Sequence, residues 1–429
     1  MKQQIDQLLS SKVVENGPGV AVAIVQQGEV AYKNCLGLAN LEWNIPVQSD
    51  TVFRLASITK QFTAVAIMML QAQGKISVDD PLTKFLPDYP TQGHDIRIHH
   101  LLTHTSGIKS YTSMEGWFPD KIVKDMSPQA VCDEFAQQPF DFEPGSRYAY
   151  NNSGYHLLGM IIEKITDEEY GRFIQDNIFK PLGMKRAIYM HNKPIIANRA
   201  SGYHPTPDGF CNAPYVSMTQ PYAAGGLGAS LDDLLLWDEA IRKHTLVSEE
   251  ILEQMWTPAT LNDDTTAGYG FGWELGTYHG HRMIHHGGGI PGFSTFMLHL
   301  PDDDVGIYLL SNLVTFDSMG VVLSLLPLAL GVQPISRTAV KLPAETLQKY
   351  AGTYQAEEGW TIQVYGEEEQ LILQMMDRQN LLAINETHFY PENQVETDIT
   401  FTLDDAGNVV SLKHESALMT FQGSRVQED

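Results

Sequence analysis

The chain has 429 residues, 43% of them apolar and 19% charged, and carries a formal net charge of −24. That length points to about two to three domains, and the composition is that of an ordinary globular protein able to bury a core without staples. The charge argues against nucleic acid and anionic membrane as partners, because both require positive patches.

The N-terminus, "MKQQIDQLLSSKVVENG", reads as a short helix and lacks the apolar core of a signal peptide. The expected compartment is cytoplasmic, or periplasmic or secreted if a leader has been removed. "GVAVAIVQQGEVAYKNCLG" reads as two strands around a turn at 26–29. "FRLASITKQFTAVAIMMLQAQG" follows, with no charge between Lys60 and Lys75 and a stop at Gly74. A helix that apolar belongs in an interior. The lysine near its start therefore either reaches water or is held inside for a purpose.

The middle of the chain, 58–251, is rich in helix and loop, with periodic segments at 154–166 and 230–244; Ser230, Asp232 and Asp233 mark the start of the second. Strand character returns in "RMIHH", "FSTFMLHLP" and "DVGIYLLSN". The expectation is one sheet built from both ends of a domain, with a helical region inserted between them. The longest apolar run, "VVLSLLPLAL", contains Pro327 and is too short to span a bilayer. A boundary is expected within 331–343. Beyond it, short alternating segments separated by turns predict a small antiparallel sheet or barrel. This tail, 340–429, holds 16 acidic against 5 basic side chains.

Several stretches offer chemistry. Ser57 and Lys60, at i and i+3 of a helix start, share a face, so the amine comes within reach of the hydroxyl. Burial would lower the pKa of the amine and make it a base; the structural alternative is a serine cap beside a solvated lysine. In "RYAYNNSGYHLLG", Tyr150 would relay a proton if a neighbouring cation depressed its pKa, and the Asn152 amide would hold a lysine and a substrate carbonyl. A packed tyrosine with an asparagine cap explains the same residues. In "MIHHGGGIPGFSTF", Gly287, Gly289 and Gly292 imitate a dinucleotide fingerprint, but strand and not helix follows them. Glycines along a strand edge instead let a ligand approach the backbone. His286 would then meet a substrate carboxylate or a departing group, unless it is a surface histidine on a hairpin. His100 and His104 stand at i, i+4, yet no zincin glutamate and no third ligand accompany them, so no metal site is assigned. Cys35, Cys132 and Cys211 form no zinc or disulfide pattern.

In this order, Ser57-Ile-Thr-Lys60, Tyr150-Asn151-Asn152 and His286-Gly287-Gly288 resemble the S-x-x-K, Y-x-N and [KHW]-x-G motifs of the penicillin-recognising serine hydrolases. The resemblance is to the branch with class C β-lactamases, D-aminopeptidases, DD-peptidases and β-lactamase-like carboxylesterases. "LLTHTSGI", "KPLGM", "AAGGLGASLDDLLLW" and "GYGFGW" match as well. The tail, with "LQKYAGTYQ", looks like the lipocalin-like domain often appended to this branch.

The resemblance implies an α/β fold. An antiparallel sheet flanked by helices and a large helical region would occupy 1–335, and a small all-β lipocalin-like domain 340–429. It implies an acyl-enzyme on Ser57, with Lys60 and Tyr150 moving protons and Asn152 positioning the acyl side chain. His286 and Gly288 would line the substrate site, and the N–H groups of Ser57 and Gly289 would form the oxyanion hole. No cofactor is implied. The expected partner is a small molecule or peptide, with D-amino-acid peptides or amides favoured over short-chain esters and β-lactams. A homo-oligomer is compatible with the tail, whose expected role is packing or assembly. His286 stands where class C β-lactamases carry lysine, which argues against efficient β-lactam hydrolysis. The reading from another class is an inactive sensor that binds peptides or cell-wall fragments.

Overall fold

The computed structural model describes residues 2–333, 337–356, 361–367, 369–375, 378–392, 396–416 and 420–426. The expected boundary at 335, and parts of the tail segments quoted from sequence, including Trp360, lie outside the described residues. Two compact units divide the chain: Met1–Leu275 with Arg282–Gly331, and Gly276–His281 with Val332–Asp429.

The first unit is built on a six-stranded sheet drawn from both ends of its sequence. Across it run Glu274–Tyr278, His281–Ile290, Phe293–Leu300, Val305–Ser311, Val20–Gln26 and Glu29–Leu36. The junction between the two ends is the antiparallel pairing of Val20 with Ser311 through Gln26 with Val305. The hairpin joining the first two strands turns at Gln27 and Gly28, both with positive φ, as a tight two-residue loop requires.

Both faces of this sheet are covered. Ala21, Ala23, Val25, Tyr308 and Leu310 belong to the large core cluster. Their alternates Val20, Val22, Ile24, Ile307 and Leu309 lie outside that cluster and are equally buried. Period-two alternation sends these two sets to opposite faces, which is why the strands read as continuous apolar runs instead of alternating ones. The helix Ser318–Leu330 packs on the strands Phe293–Leu300 and Val305–Ser311, with Pro327 inside it.

The inserted region holds the helices Thr59–Ala72, Asn152–Thr166 and Leu231–Arg242. The first buries eleven of its fourteen residues, as its composition required. The third begins with a full capping box, Ser230 with Asp233, the feature its sequence announced.

The second unit is a closed barrel of eight consecutive strands, from Gly352–Ala356 to Thr420–Arg425, sealed by the pairing of Tyr354 with Arg425. Tyr354, Ile362, Leu373, Phe389, Phe401 and Leu412 fill its interior, as small barrels usually are filled. Among the described residues, no helix is long and apolar enough to cross a membrane.

Candidate active site

Ser57 sits in a single 3-10 turn, Ala56–Ile58, that runs straight into the helix Thr59–Ala72. Ala56, just before it, has φ +48°. Such a backbone conformation is costly for a non-glycine residue and persists only where the surroundings enforce it. Enforcement comes from both sides. Leu55 donates its N–H to Leu227 O, and its carbonyl accepts from Thr295 Oγ1 at 3.1 Å. Gly288 lies against that same carbonyl, where an added Cβ would collide with Leu55 O and Thr295 Oγ1. The sheet edge is thus clipped to the segment carrying the serine. Ser57 caps neither the turn nor the helix, so the capping alternative does not hold.

Lys60 is 0% exposed. Its Nζ donates to Ser57 Oγ at 3.2 Å, Asn152 Oδ1 at 2.8 Å and the Ala224 carbonyl at 2.9 Å. It also lies 4.6 Å from the centre of the Tyr150 ring and 5.4 Å from that of Tyr155. Burial drives its pKa well below 10.5, and Glu274 opposes this only in part. No carboxylate touches it among the described residues, so nothing in contact with the amine restores the charged form that burial disfavours.

Asn151 caps the helix Asn152–Thr166, and Asn152 opens that helix toward Lys60. Its Nδ2 donates to Thr112 Oγ1 at 3.0 Å, and its backbone N–H to Ser110 Oγ at 3.2 Å. Ser153 Oγ and Asn151 Nδ2 tie the same turn to the carbonyls of Lys109 and Ile108. The "GIKSYT" loop therefore fixes the asparagine, a part in the site that the sequence did not announce.

Tyr150 is 37% exposed, while its phenol sits in desolvated surroundings. Burial raises its pKa well above 10, and a hydrogen bond with Ser57 lowers it only partly. Here the expectation from sequence needs correcting. A cation was to depress this phenol, but its own burial outweighs every opposing influence and pushes it up, so Tyr150 stays protonated. It can pass a proton along but cannot begin as the base.

His286 is 1% exposed and has both ring nitrogens engaged. Nδ1 lies 2.7 Å from the Gly287 carbonyl and must donate to it; Nε2, left as acceptor, takes the Tyr269 hydroxyl at 2.8 Å. Burial lowers its pKa to about 4 against the opposing pull of Glu274, so the ring is neutral. It lies behind Tyr150, with ring centres 6.1 Å apart. Burial would raise the Glu274 carboxyl, but the His285 imidazole beside it holds it down at about 2. His285 Nδ1 is 3.2 Å from Glu274 Oε2.

His104 completes the cluster. It has φ +60°, accepts the Asn151 N–H on Nδ1 at 3.0 Å, and has its ring 4.4 Å from that of Tyr150 and 4.5 Å from that of Tyr269. His100 instead accepts the Arg97 N–H at the start of its own short helix. Among the described residues no group of three or more His, Cys, Asp or Glu is placed to hold a metal.

Ser57, Asn152 and Gly289 face one cleft of about 100 Å³, shared with Tyr111, Thr112, Phe118, Ile122, Val216, Ile290 and Pro291. Nothing lies within 4 Å of where a Gly289 side chain would project, so its backbone is open to a bound molecule. Lys60 and Tyr150 adjoin Ser57 from behind and beside this cleft, and Gly288 and His286 pack beneath its edge. Sequence reasoning missed Tyr269, Thr112, the Ala224 carbonyl and the wall formed by Phe118 and Val216. Tyr269 and Ala224 lay in segments singled out beforehand, "GYGFGW" and "AAGGLGASLDDLLLW".

Residues 5–325 match the Beta-lactamase family, and residues 336–428 match a domain of unknown function, DUF3471. Penicillin-binding protein 4* of Bacillus subtilis (strain 168) is 29% identical over 431 residues, covering 94% of this chain and 93% of that protein. A D-aminopeptidase of Gluconobacter oxydans (strain 621H) is 30% identical over 307 residues; the match covers 69% of this chain and 56% of that protein's length. Among solved structures, the D-amino acid amidase from Ochrobactrum anthropi SV3, complexed with D-phenylalanine, aligns with a TM-score of 0.66 at 26% identity. That alignment covers 77% of this chain and 97% of the amidase.

Proposed function

Because the chain belongs to the Beta-lactamase family and is a serine hydrolase, we propose that it cleaves amide bonds in D-amino-acid-containing peptides or amides through an acyl-enzyme on Ser57. The observation that carries the mechanism is the 3.2 Å contact between a fully buried Lys60, whose burial disfavours its charged form, and Ser57 Oγ. The D-aminopeptidase and the D-amino acid amidase named above support the substrate class.

In this scheme Ser57 Oγ bonds to the substrate carbonyl carbon while its proton moves to Lys60 Nζ. The N–H groups of Ser57 and Gly289 receive the oxyanion, each worth about 3–4 kcal/mol. Collapse breaks the C–N bond, and the proton passes from Lys60, with Tyr150 as relay, to the departing amine. Water then adds to the acyl carbon along the same route in reverse, regenerating Ser57 and releasing the acid. His286, fixed by Tyr269, backs Tyr150 and keeps it aimed. The chemistry falls in 1–335, and 340–429 is an accessory barrel.

A panel on the purified chain tests this: D- and L-aminoacyl anilides, D-Ala-D-Ala peptides, p-nitrophenyl esters of graded length and a chromogenic cephalosporin. Ser57-dependent turnover with D over L preference is expected. Turnover confined to esters or to the cephalosporin would overturn the substrate assignment.

A further inference from the structure

The cleft's lining contains no charged side chain. It is walled by Phe118 and Ile122 from one segment, Val216 from a second, and Ile290 and Pro291 from the turn after the glycines. The two segments are fastened together. Ser217 N–H donates to Ile122 O at 2.9 Å, Met126 N–H to Thr219 Oγ1 at 3.0 Å, and the buried Gln220 amide to Lys124 O at 2.7 Å. Of the charges these segments carry, Asp125 accepts from Ser217 Oγ, Lys121 pairs with Glu134, and Asp120 and Lys124 are exposed and outside the lining. Glu274, the acid nearest Lys60, is engaged with His285 and does not reach the cleft.

The side of Ser57 served by this wall follows from the proton path. The departing group must leave toward Tyr150, which is absent from the lining, whereas Gly289 and Asn152 are in it. The walled space therefore receives the acyl half of the substrate.

Resting on the reading of the site as an amide hydrolase, we infer that its acyl subsite selects an apolar, uncharged acyl group, one whose α-amine is capped or unprotonated, with Phe118 as a specificity-determining residue. An α-ammonium entering here would be desolvated with no carboxylate to meet it, a penalty that excludes it. A cleft of about 100 Å³ is of the order of the ~150 Å³ apolar cavity that takes benzene, so it accepts side chains from valine to phenylalanine in size. Phe118 is 50% exposed at the mouth, and its truncation leaves the core untouched.

The experiment compares kcat/KM for D- and L-phenylalanine p-nitroanilides, each with a free and an N-acetylated amine, between pH 6 and 9. The N-acetyl substrate should exceed the free amine by at least tenfold at pH 6. The free-amine to N-acetyl ratio should climb roughly tenfold per pH unit until the α-amine, with a pKa of about 8, is deprotonated. Phe118→Ala should cost roughly tenfold on phenylalanyl relative to alanyl substrates, and Phe118→Asp should shift preference toward the free amine. A flat ratio favouring the free amine, or a Phe118→Asp variant with unchanged preference, overturns the inference. The D against L comparison is read separately: L preference refutes the D-amino-acid assignment and leaves the capped-amine result to stand or fall alone.

Discussion

Replacing Lys60 by methionine keeps the length of the side chain and removes its nitrogen, which isolates the amine's role. The amine is the one base in contact with Ser57, because the Tyr150 phenol is pushed above its ordinary range and both His286 nitrogens are occupied. With no substitute acceptor, the loss should reach at least the middle of the 10²–10⁴ range for general-base catalysis. That is about a thousandfold in kcat/KM, or about 4 kcal/mol of barrier. The fold should survive. Asn152 Oδ1 and the Ala224 carbonyl each lose a donor, costing about 1–3 kcal/mol apiece, while burying an amine no longer costs anything. The assay is the rate at which a fluorophosphonate labels Ser57, with circular dichroism as a check on folding. Lys60→Arg should fail equally, since a guanidinium cannot give up its charge. A folded Lys60→Met protein labelled within threefold of the wild-type rate would refute the reasoning.

Gly288→Ala should force the sheet edge away from Leu55 O and Thr295 Oγ1. It should cost about 1–3 kcal/mol of stability and most of the activity, whereas Gly289→Ala, which meets nothing, should fold like wild type; equal melting temperatures for the two would contradict this. Burial lowers His286 and His156 from 6.5 to about 4. The unfolded chain therefore takes up protons that the folded one refuses as pH falls below 6.5, so stability is full above 6.5 and declines toward 4. These two histidines contribute a slope of at most about 2–3 kcal/mol per pH unit, and urea midpoints measured between pH 7 and 4.5 would reveal it or show a flat profile that rejects it. A chelator should leave turnover unchanged; inhibition reversed by added zinc would reopen the histidines as a metal site.

The chain's catalytic vocabulary was legible because S-x-x-K, Y-x-N and H-x-G are local patterns of residue type. The apolar helix after Lys60 already implied a buried amine, and the glycine-rich stretch followed by "FSTFMLHLP" already implied strand in place of a dinucleotide loop. The sheet drawn from both ends could be read because its central strands, Val20–Gln26, Phe293–Leu300 and Val305–Ser311, are largely apolar runs. What sequence did not reveal depends on contacts between distant segments. The Ala224 carbonyl and Thr112 matter only because loops more than 100 residues apart in the first case and 40 in the second meet at Lys60 and Asn152. The state of Tyr150 hinged on a competition between a neighbouring amine and burial, and only the burial of the phenol itself decides that contest. Phe118 gave no cue, since an exposed aromatic on a loop has the same local pattern whether it lines a cleft or faces solvent.

The most direct test is intact-protein mass spectrometry after brief exposure to a slowly deacylated N-acetyl-D-phenylalanine ester or labelled penicillin, followed by peptide mapping. One acyl group per chain should appear on the peptide that contains Ser57, and none in Ser57→Ala. A modification on any other residue, or undiminished labelling of the alanine variant, would contradict the assignment of Ser57 as the nucleophile.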